Sequence, residues 1–381
     1  MNKKTHILFV SFVFLLLFKG YAQDMNFSWA KQFGSDSYTS DLQAVTSDNK
    51  DRIFAFTHFN FTFTVDGIDY ESQGENDLLL FALNEDGDVD WVVTEGGEDD
   101  EFAQLVKCDA EGNVYIAGKF TNSIVINGET YMSDGLFDMY IIKYSNDGDF
   151  IWAKTFGGPN SESIMAMEIR YNSILVAGRF YNYTVIDQDT LFSQSGTDVF
   201  VARFNLEGDL QNRMTIGGNS VDNVLDLDID AYANIYITGD FYSDIYLDED
   251  THFDAGDLLG VYVAKYDPAF NLKWAHQLNG NDLKPDVKLE VTPSGICAIS
   301  GSFSSDIIFG MNQISTAPSD VDVYLAVFQD DGSPDWIKRY YSSSMEDIVD
   351  MGIDGEGNIY LTGQYYSSIH FDNLVLNYSL C

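Results

Sequence analysis

The sequence predicts an all-β fold, a β-propeller of four-stranded antiparallel blades, on three observations that share one period. Every tryptophan falls at one phase, Trp29, Trp91, Trp152, Trp274 and Trp336, with spacings of 62, 61, 122 and 62 and with Asn212 at the skipped position. A Gly-x-Phe/Tyr series keeps the same step: Gly118, Gly178, Gly239, Gly301 and Gly363 are spaced 60, 61, 62 and 62, with Thr57 in the first copy. The third series is the acid that opens an apolar run, Asp77, Asp138, Asp198 and Asp322, with Gly260 in its place in the fourth copy.

Within residues 101–160 the local chemistry is strand and turn throughout. "QLVKCD" reads as a first strand, "AEGN" as a turn, "VYIAGKF" as a second strand, "DMYIIKY" as a third, "NDGD" as a hairpin and "FIWAKTF" as a fourth. These strands are apolar on both faces, so both faces of each sheet are covered, as in stacked blades. Asp147-Gly148 is expected to be the central pair of a two-residue turn with both residues at positive φ. That register sets Lys143 opposite Trp152, with the ammonium over the indole. Trp152 and Phe156 then share one face and fill the space between blades.

The recurring lines D-x-x-G-N-h-Y-h-x-G-x-F, D-h-h-h-x-K-Y and D-G-x-h-x-W-x-K-x-F-G-G, where h is apolar, resemble the SBBP-type (beta-propeller) repeats of secreted bacterial proteins. The best copies are "DAEGNVYIAGKF" at 109 and "DGEGNIYLTGQY" at 354. The first copy departs at "DNKDRIFAFTHF", and the third lacks both the Gly-Asn turn and the Trp. The resemblance implies an exported propeller scaffold and supplies no catalytic set.

Residues 1–22 read as a signal peptide, with Lys3 and Lys4 ahead of the apolar run Ile7 to Phe18 and small residues at Gly20 and Ala22. The propeller then occupies 23–381, as repeats at about 41–100, 101–160, 161–220, 221–280 and 281–344, a partial repeat at 345–381, and a closing fourth strand at 27–34. Six blades with an incomplete last one are expected; the alternative is that the chain is a truncated part of a larger propeller. The run of 12 apolar residues is too short to span a bilayer, so no membrane span is expected in the mature chain, which is placed outside the cytoplasm: secreted, periplasmic or at the cell surface.

The formal charge is −40, and −43 without the first 22 residues. A field of that sign argues against nucleic acid and leaves a protein or a glycan as the expected partner. Cys108, Cys297 and Cys381 are too few and odd in number for a disulfide framework. Asp226, Asp228 and Asp230 alternate in "DLDIDAYAN" and are the candidate metal ligands, for calcium. On one strand face they spread over about 13 Å, so a single ion would need the strand to bend. No other cofactor is expected. Past the signal only His58, His252, His276 and His370 remain, without metal-ligand spacing, and nucleophile, zincin and phosphate-loop motifs are missing. The chain therefore reads as a non-enzymatic binding scaffold that uses its loops or channel. A propeller carbohydrate-active enzyme, hydrolase or lyase, and a surface adhesion component remain the other readings.

Overall fold

The computed structural model describes residues 31, 33–34, 42–48, 50–280, 286–304, 306–316, 320–341, 346–354, 357–365, 368–371 and 374–377. The described residues are strand and turn without helix, and the strands form four-stranded antiparallel propeller blades. Blade one joins Ala44–Ser47, Ile53–Phe59, Asp77–Leu83 and Val89–Glu95 in chain order. Glu101–Cys108, Val114–Phe120, Asp138–Tyr144 and Phe150–Phe156 form the second, and Ser163–Arg170, Ser173–Ile186, Asp189–Asn205 and Leu210–Ile216 the third. The fourth has Asp226–Ile229, Ile235–Tyr246, His252–Tyr266 and Leu272–Gly280; the fifth has Lys288–Val291, Cys297–Phe303, Asp322–Phe328 and Pro334–Tyr340. Glu346–Ile353 pairs with Ile359–Tyr365 in the sixth copy. Two compact units divide these residues, one taking those up to Phe192 together with Val201–Gln211 and the other Ser193–Phe200 together with those from Asn212 onward.

The third strands are buried along their whole length at Asp77–Leu83, Asp138–Tyr144 and Asp322–Phe328, as two covered sheet faces require. They also explain the glycine series. Gly118 lies opposite Tyr140, whose hydroxyl crosses the missing side chain to donate to Phe102 O at 2.9 Å. A Cβ on Gly118 would overlap both that oxygen and the Tyr140 hydroxyl. Gly239 leaves the same passage for Tyr262, which donates to Asn223 O at 3.1 Å. The glycine thus lets a third-strand ring bond to the backbone beyond the second strand.

One element escaped the sequence reading. Between its second and third strands each repeat adds an outer hairpin: Thr62–Val65 with Ile68–Glu71, Ser123–Ile126 with Glu129–Met132, Asp306–Phe309 with Asn312–Ser315, and Ser368–Phe371 with Leu374–Asn377. In the third and fourth repeats it is continuous with the long strands Ser173–Ile186, Asp189–Asn205, Ile235–Tyr246 and His252–Tyr266. Its inward residues, such as Ile124 and Ile126, are fully buried. Each hairpin bridges to the end of the preceding repeat's fourth strand, at Gly96 to Val125, Gly157 to Val185, Gly217 to Tyr246, Gly280 to Ile307 and Tyr341 to His370.

Gly34 meets Thr64 in the same way, with hydrogen bonds of 3.3 and 3.2 Å, and Phe33 packs on Phe81 with ring centroids 4.9 Å apart. The described end of the expected closing strand therefore holds the position of a fourth strand that precedes the first repeat. Trp29 and the rest of 27–30 lie outside the described residues, as does the expected signal peptide.

Replacing Gly118 with alanine forces Tyr140 out of its passage, and a stability loss of roughly 3 kcal/mol or more is expected in urea unfolding. Gly128, at φ +80 with nothing within 4 Å of an added methyl, is the control. Its alanine variant should lose only about 1 kcal/mol through backbone strain.

Candidate functional site

In the first, second and fourth repeats the tryptophan clasps the turn of the next repeat, whose glycine lies on the ring, and in the second and fourth a lysine joins it. Trp91 Nε1 donates to Asn146 O at 3.1 Å, Trp152 Nε1 to Leu206 O at 3.1 Å and Trp274 Nε1 to Asp330 O at 3.0 Å. The glycine of the same turn lies on the indole: a Cβ on Gly148 would stand 2.8 Å from Trp91 Cδ2, and one on Gly332 would stand 2.5 Å from Trp274 Cγ. Where the third repeat has Asn212, its Nδ2 donates to Ala269 O at 3.2 Å and keeps the bond without the ring. Trp336 packs in the cluster of Val327, Ile359 and Leu361.

Lys143 does lie opposite Trp152, yet the turn between them differs from the expected one. Gly148 N donates to Ser145 O and Ser145 N to Asp149 O, so the loop has three residues, and only Gly148, at φ 84, is left-handed. A bulge beside Tyr144 then restores the expected register. The ammonium sits 4.9 Å over the Tyr115 ring, not over the indole, and donates to Leu206 O at 3.1 Å, the same carbonyl that Trp152 uses. "DPAFN" makes a turn of the same length, with Phe270 at φ 68 in the glycine position, and Lys265 faces Trp274.

The acid of D-x-x-G-N caps the turn between the first two strands. Asp109 accepts the N–H groups of Glu111 and Asn113 on Oδ1 and the Asn113 amide and Tyr115 hydroxyl on Oδ2. Asp230 repeats this with Tyr232, Asn234 and Tyr236, with buried Lys265 3.5 Å away. Asp226 and Asp228 act between repeats: their Oδ2 atoms accept Leu289 N at 2.9 Å and Val291 N at 2.8 Å, while their Oδ1 atoms accept Leu227 N and Ile229 N. The carboxylates stand in for strand-to-strand hydrogen bonds. Asp226 and Asp228 thus serve one neighbouring strand and Asp230 its own turn, and no group of three metal-ligating side chains converges among the described residues.

The third-strand acids have partners that the sequence reading missed. Asp77 faces Glu101, Asp138 faces Glu162 and Asp198 faces Asp222, each pair joining two successive repeats and each 24 residues apart. All six side chains are buried. Backbone N–H groups of Gln73, Asp134, Gln194, Gly158 and Gly218 bond one oxygen of Asp77, Asp138, Asp198, Glu162 and Asp222. Asp77 Oδ1, Glu162 Oε1, Asp198 Oδ1 and Asp222 Oδ1 have no hydrogen-bond partner among the described residues, and Glu101 has only the Gly97 backbone against it. A Cβ on Gly96 would lie 2.8 Å from Asp77 Oδ1 and 2.8 Å from Glu101 Oε2, so glycine is what lets the backbone pass the pair. Two neighbouring buried carboxylates repel one another when both are ionised, so one proton is expected within each pair. Burial, then the neighbouring acid, pushes Glu101 up to about 9; burial against opposing backbone hydrogen bonds takes Asp222 to about 8, Glu162 to about 7, and Asp77 and Asp198 to about 6.

Chemistry not consumed by these joints collects in a cleft of about 640 Å³ at the turn end of the first strands of repeats one to three. Lys107 Nζ lies 2.9 Å from Glu168 Oε2, and Arg170 Nε 2.8 Å from Glu168 Oε1. Cys108 donates to Ser47 O at 3.1 Å, and burial raises its thiol pKa. At the rim Arg170 pairs with Ser173 across a two-residue turn, with Tyr171 at φ 52 and Asn172 at φ 60. Tyr171 is half exposed, and a bulky residue in the left-handed region is strained. This is the copy whose Gly-Asn turn is missing, which was the available sequence signal.

No family model and no curated protein matches the chain. Among solved structures it is similar to a subtype N10 neuraminidase-like protein of A/little yellow-shouldered bat/Guatemala/060/2010, at 10% identity and TM-score 0.39 over 87% of this chain and 96% of that one. Drosophila Plexin A in complex with Semaphorin 1b gives 8% identity and TM-score 0.32 over 85% and 87%. A member of the duf4221 family from Bacteroides vulgatus gives 9% and 0.33 over 91% and 99%.

The acid pairs set a direction for pH. Their folded-state pKa values lie above the ordinary carboxylate range, so between about pH 5 and 9 the unfolded chain releases protons that the folded chain keeps. Stability should therefore fall as pH rises through that window and level off above it. In thermal melts across it, Glu101→Gln should flatten the slope; a variant with the parental slope would show that the pair does not hold the proton. Separately, Trp152→Phe, which keeps a ring and deletes the N–H, should cost about 1 kcal/mol in urea unfolding.

Proposed function

We propose that this chain is an exported, non-enzymatic propeller scaffold of the SBBP-type repeat kind that binds a glycan or protein loop at the cleft between Ser47, Lys107, Glu168 and Tyr171. The observation that carries this reading is Tyr171. It stands half exposed in a left-handed turn at the rim of a cleft that also holds Lys107, Glu168 and Arg170. An aromatic face beside fixed donors and acceptors suits a sugar ring or a polar side chain. Export rests on the N-terminal segment read from the sequence.

The alternative, a glycoside hydrolase or lyase, needs two acids that a substrate can reach. The close acid pairs here are buried; of the four acids that line the cleft, Glu168 is held by Lys107 and Arg170, Asp48 by Arg52 and Asp109 by its own turn, which leaves Glu111 as the exposed one.

A glycan array and a panel of purified extracellular proteins, probed with the parental chain and with Tyr171→Ala, test the proposal. Binding that Tyr171→Ala reduces by about tenfold or more is expected, the loss typical of an aromatic anchor. Binding indifferent to that change, or hydrolysis of a polysaccharide panel, would overturn it.

A further inference from the structure

At the phase where the other complete copies carry Asp77, Asp138, Asp198 and Asp322, the fourth repeat reads Leu258-Leu259-Gly260. Gly260 pairs with Phe241, and a Cβ at that glycine would overlap the Phe241 ring. The ring thus takes the place of the acid, and this joint lacks the third-strand carboxylate of the others. Where that carboxylate is missing, a cavity of about 340 Å³ opens between the fourth repeat and the outer hairpin of the fifth, within one compact unit. Its volume lies at the small end of ligand pockets.

Two kinds of surface line the cavity. Leu258, Leu259 and Leu278 from the fourth repeat and Ile308 from the hairpin supply an apolar wall; Leu278 is buried, whereas Leu258 and Ile308 are about half exposed. Asn279 and Gly280 pair with Ile308 and Ile307, and the alternation that buries Ile307 and Phe309 turns Asp306 and Ile308 the other way. The second surface is formed by Asp254 and Asp306. Asp254 Oδ1 accepts Gly256 N–H at 2.7 Å and its backbone oxygen accepts the Gln277 amide at 3.3 Å, which fixes the residue and leaves Oδ2 without a partner among the described residues. The Asp306 carboxylate has neither a hydrogen bond nor an ion pair among the described residues. No Lys, Arg or His among them lines the cavity.

Two carboxylates without a cation, set beside exposed leucine and isoleucine, call for a ligand charged at one end and apolar along the rest. A bare calcium ion is a poor match, because it takes roughly six to eight oxygens and this wall offers carbon. An anion would meet two carboxylates in a chain of formal charge −40, a field that instead draws cations in. We propose that the cavity binds a primary ammonium on an apolar stem, the chemistry of an alkylamine or a lysine side chain, with the head toward Asp254 and Asp306 and the stem along Leu258 and Ile308. This site is separate from the cleft at Tyr171 and does not rest on that reading.

The test follows the methyl signals of Leu258 and Ile308 by NMR while n-hexylammonium is added to the full chain at fixed pH and salt. Hexanol, which lacks the charge, and methylammonium, which lacks the stem, are the comparators. A saturable shift with n-hexylammonium is expected, and binding of either comparator should be about tenfold weaker or more, the loss expected for a charge-assisted contact or a buried stem. Nα-acetyl-lysine methylamide separates the two sources: affinity equal to that of n-hexylammonium supports the proposal with a partner's lysine as the ligand, and weaker binding supports it with a free amine. Asp306→Asn should weaken binding about fivefold or more. Asp257→Asn, which removes an exposed acid next to the cavity but outside its lining, should leave it unchanged. The proposal is overturned if n-hexylammonium gives no saturable shift or if hexanol binds equally well. It is also overturned if Asp254→Asn and Asp306→Asn both keep parental affinity, or if Asp257→Asn costs as much as Asp306→Asn, which would leave only the general field of the chain.

Discussion

The indole N–H that reaches the turn carbonyl of the following repeat is the interaction on which the other joints depend. A hydrogen bond of this type contributes about 1 kcal/mol net, and the ring buried against the turn glycine contributes more through packing. The bond also dictates local chemistry. The turn must offer its carbonyl outward and present a residue without a side chain to the ring, so Gly148 and Gly332 answer both to their own φ and to a tryptophan nearly sixty residues earlier. Lys143 converges on the same carbonyl as Trp152 and thereby becomes part of the joint.

At the other end of each repeat the join is made differently. The outer hairpin bonds the residue that ends the preceding fourth strand, and at three of the joints two buried acids from successive repeats stand next to it. One end is thus held by an aromatic donor and a fixed turn, the other by backbone bridges beside buried acids. These devices account for most of the motif residues. The exception to the pattern is where other chemistry gathers: the third repeat's altered turn at Tyr171.

The period, the strand content and the structural role of the tryptophans were legible because each rests on local pattern, and the Lys143–Trp152 register was legible because a three-residue loop and a bulge together preserve the count. The outer hairpin was marked by Asp66-Gly67 and Asn127-Gly128 between alternating apolar residues, but its strands have only four residues and read as loop. The acid pairs are joined across repeats, so no window of sequence contains their geometry; their one trace is the constant step of 24 from Asp77, Asp138 and Asp198. Asp226, Asp228 and Asp230 looked like ligands because spacing cannot distinguish a carboxylate turned toward an ion from one turned toward a backbone N–H.

The overlap of hairpin and fourth strand bears on how such a chain can lengthen in evolution. A segment copied in register with the period carries a tryptophan for the repeat after it, a glycine turn for the repeat before it and a hairpin that fits the previous fourth strand. Every new boundary then reproduces an existing one, wherever within the period the copied segment begins. Unequal recombination can therefore add or remove whole copies without inventing a junction, while a substitution in one copy, such as Asn212 for tryptophan, is tested only against its immediate neighbour.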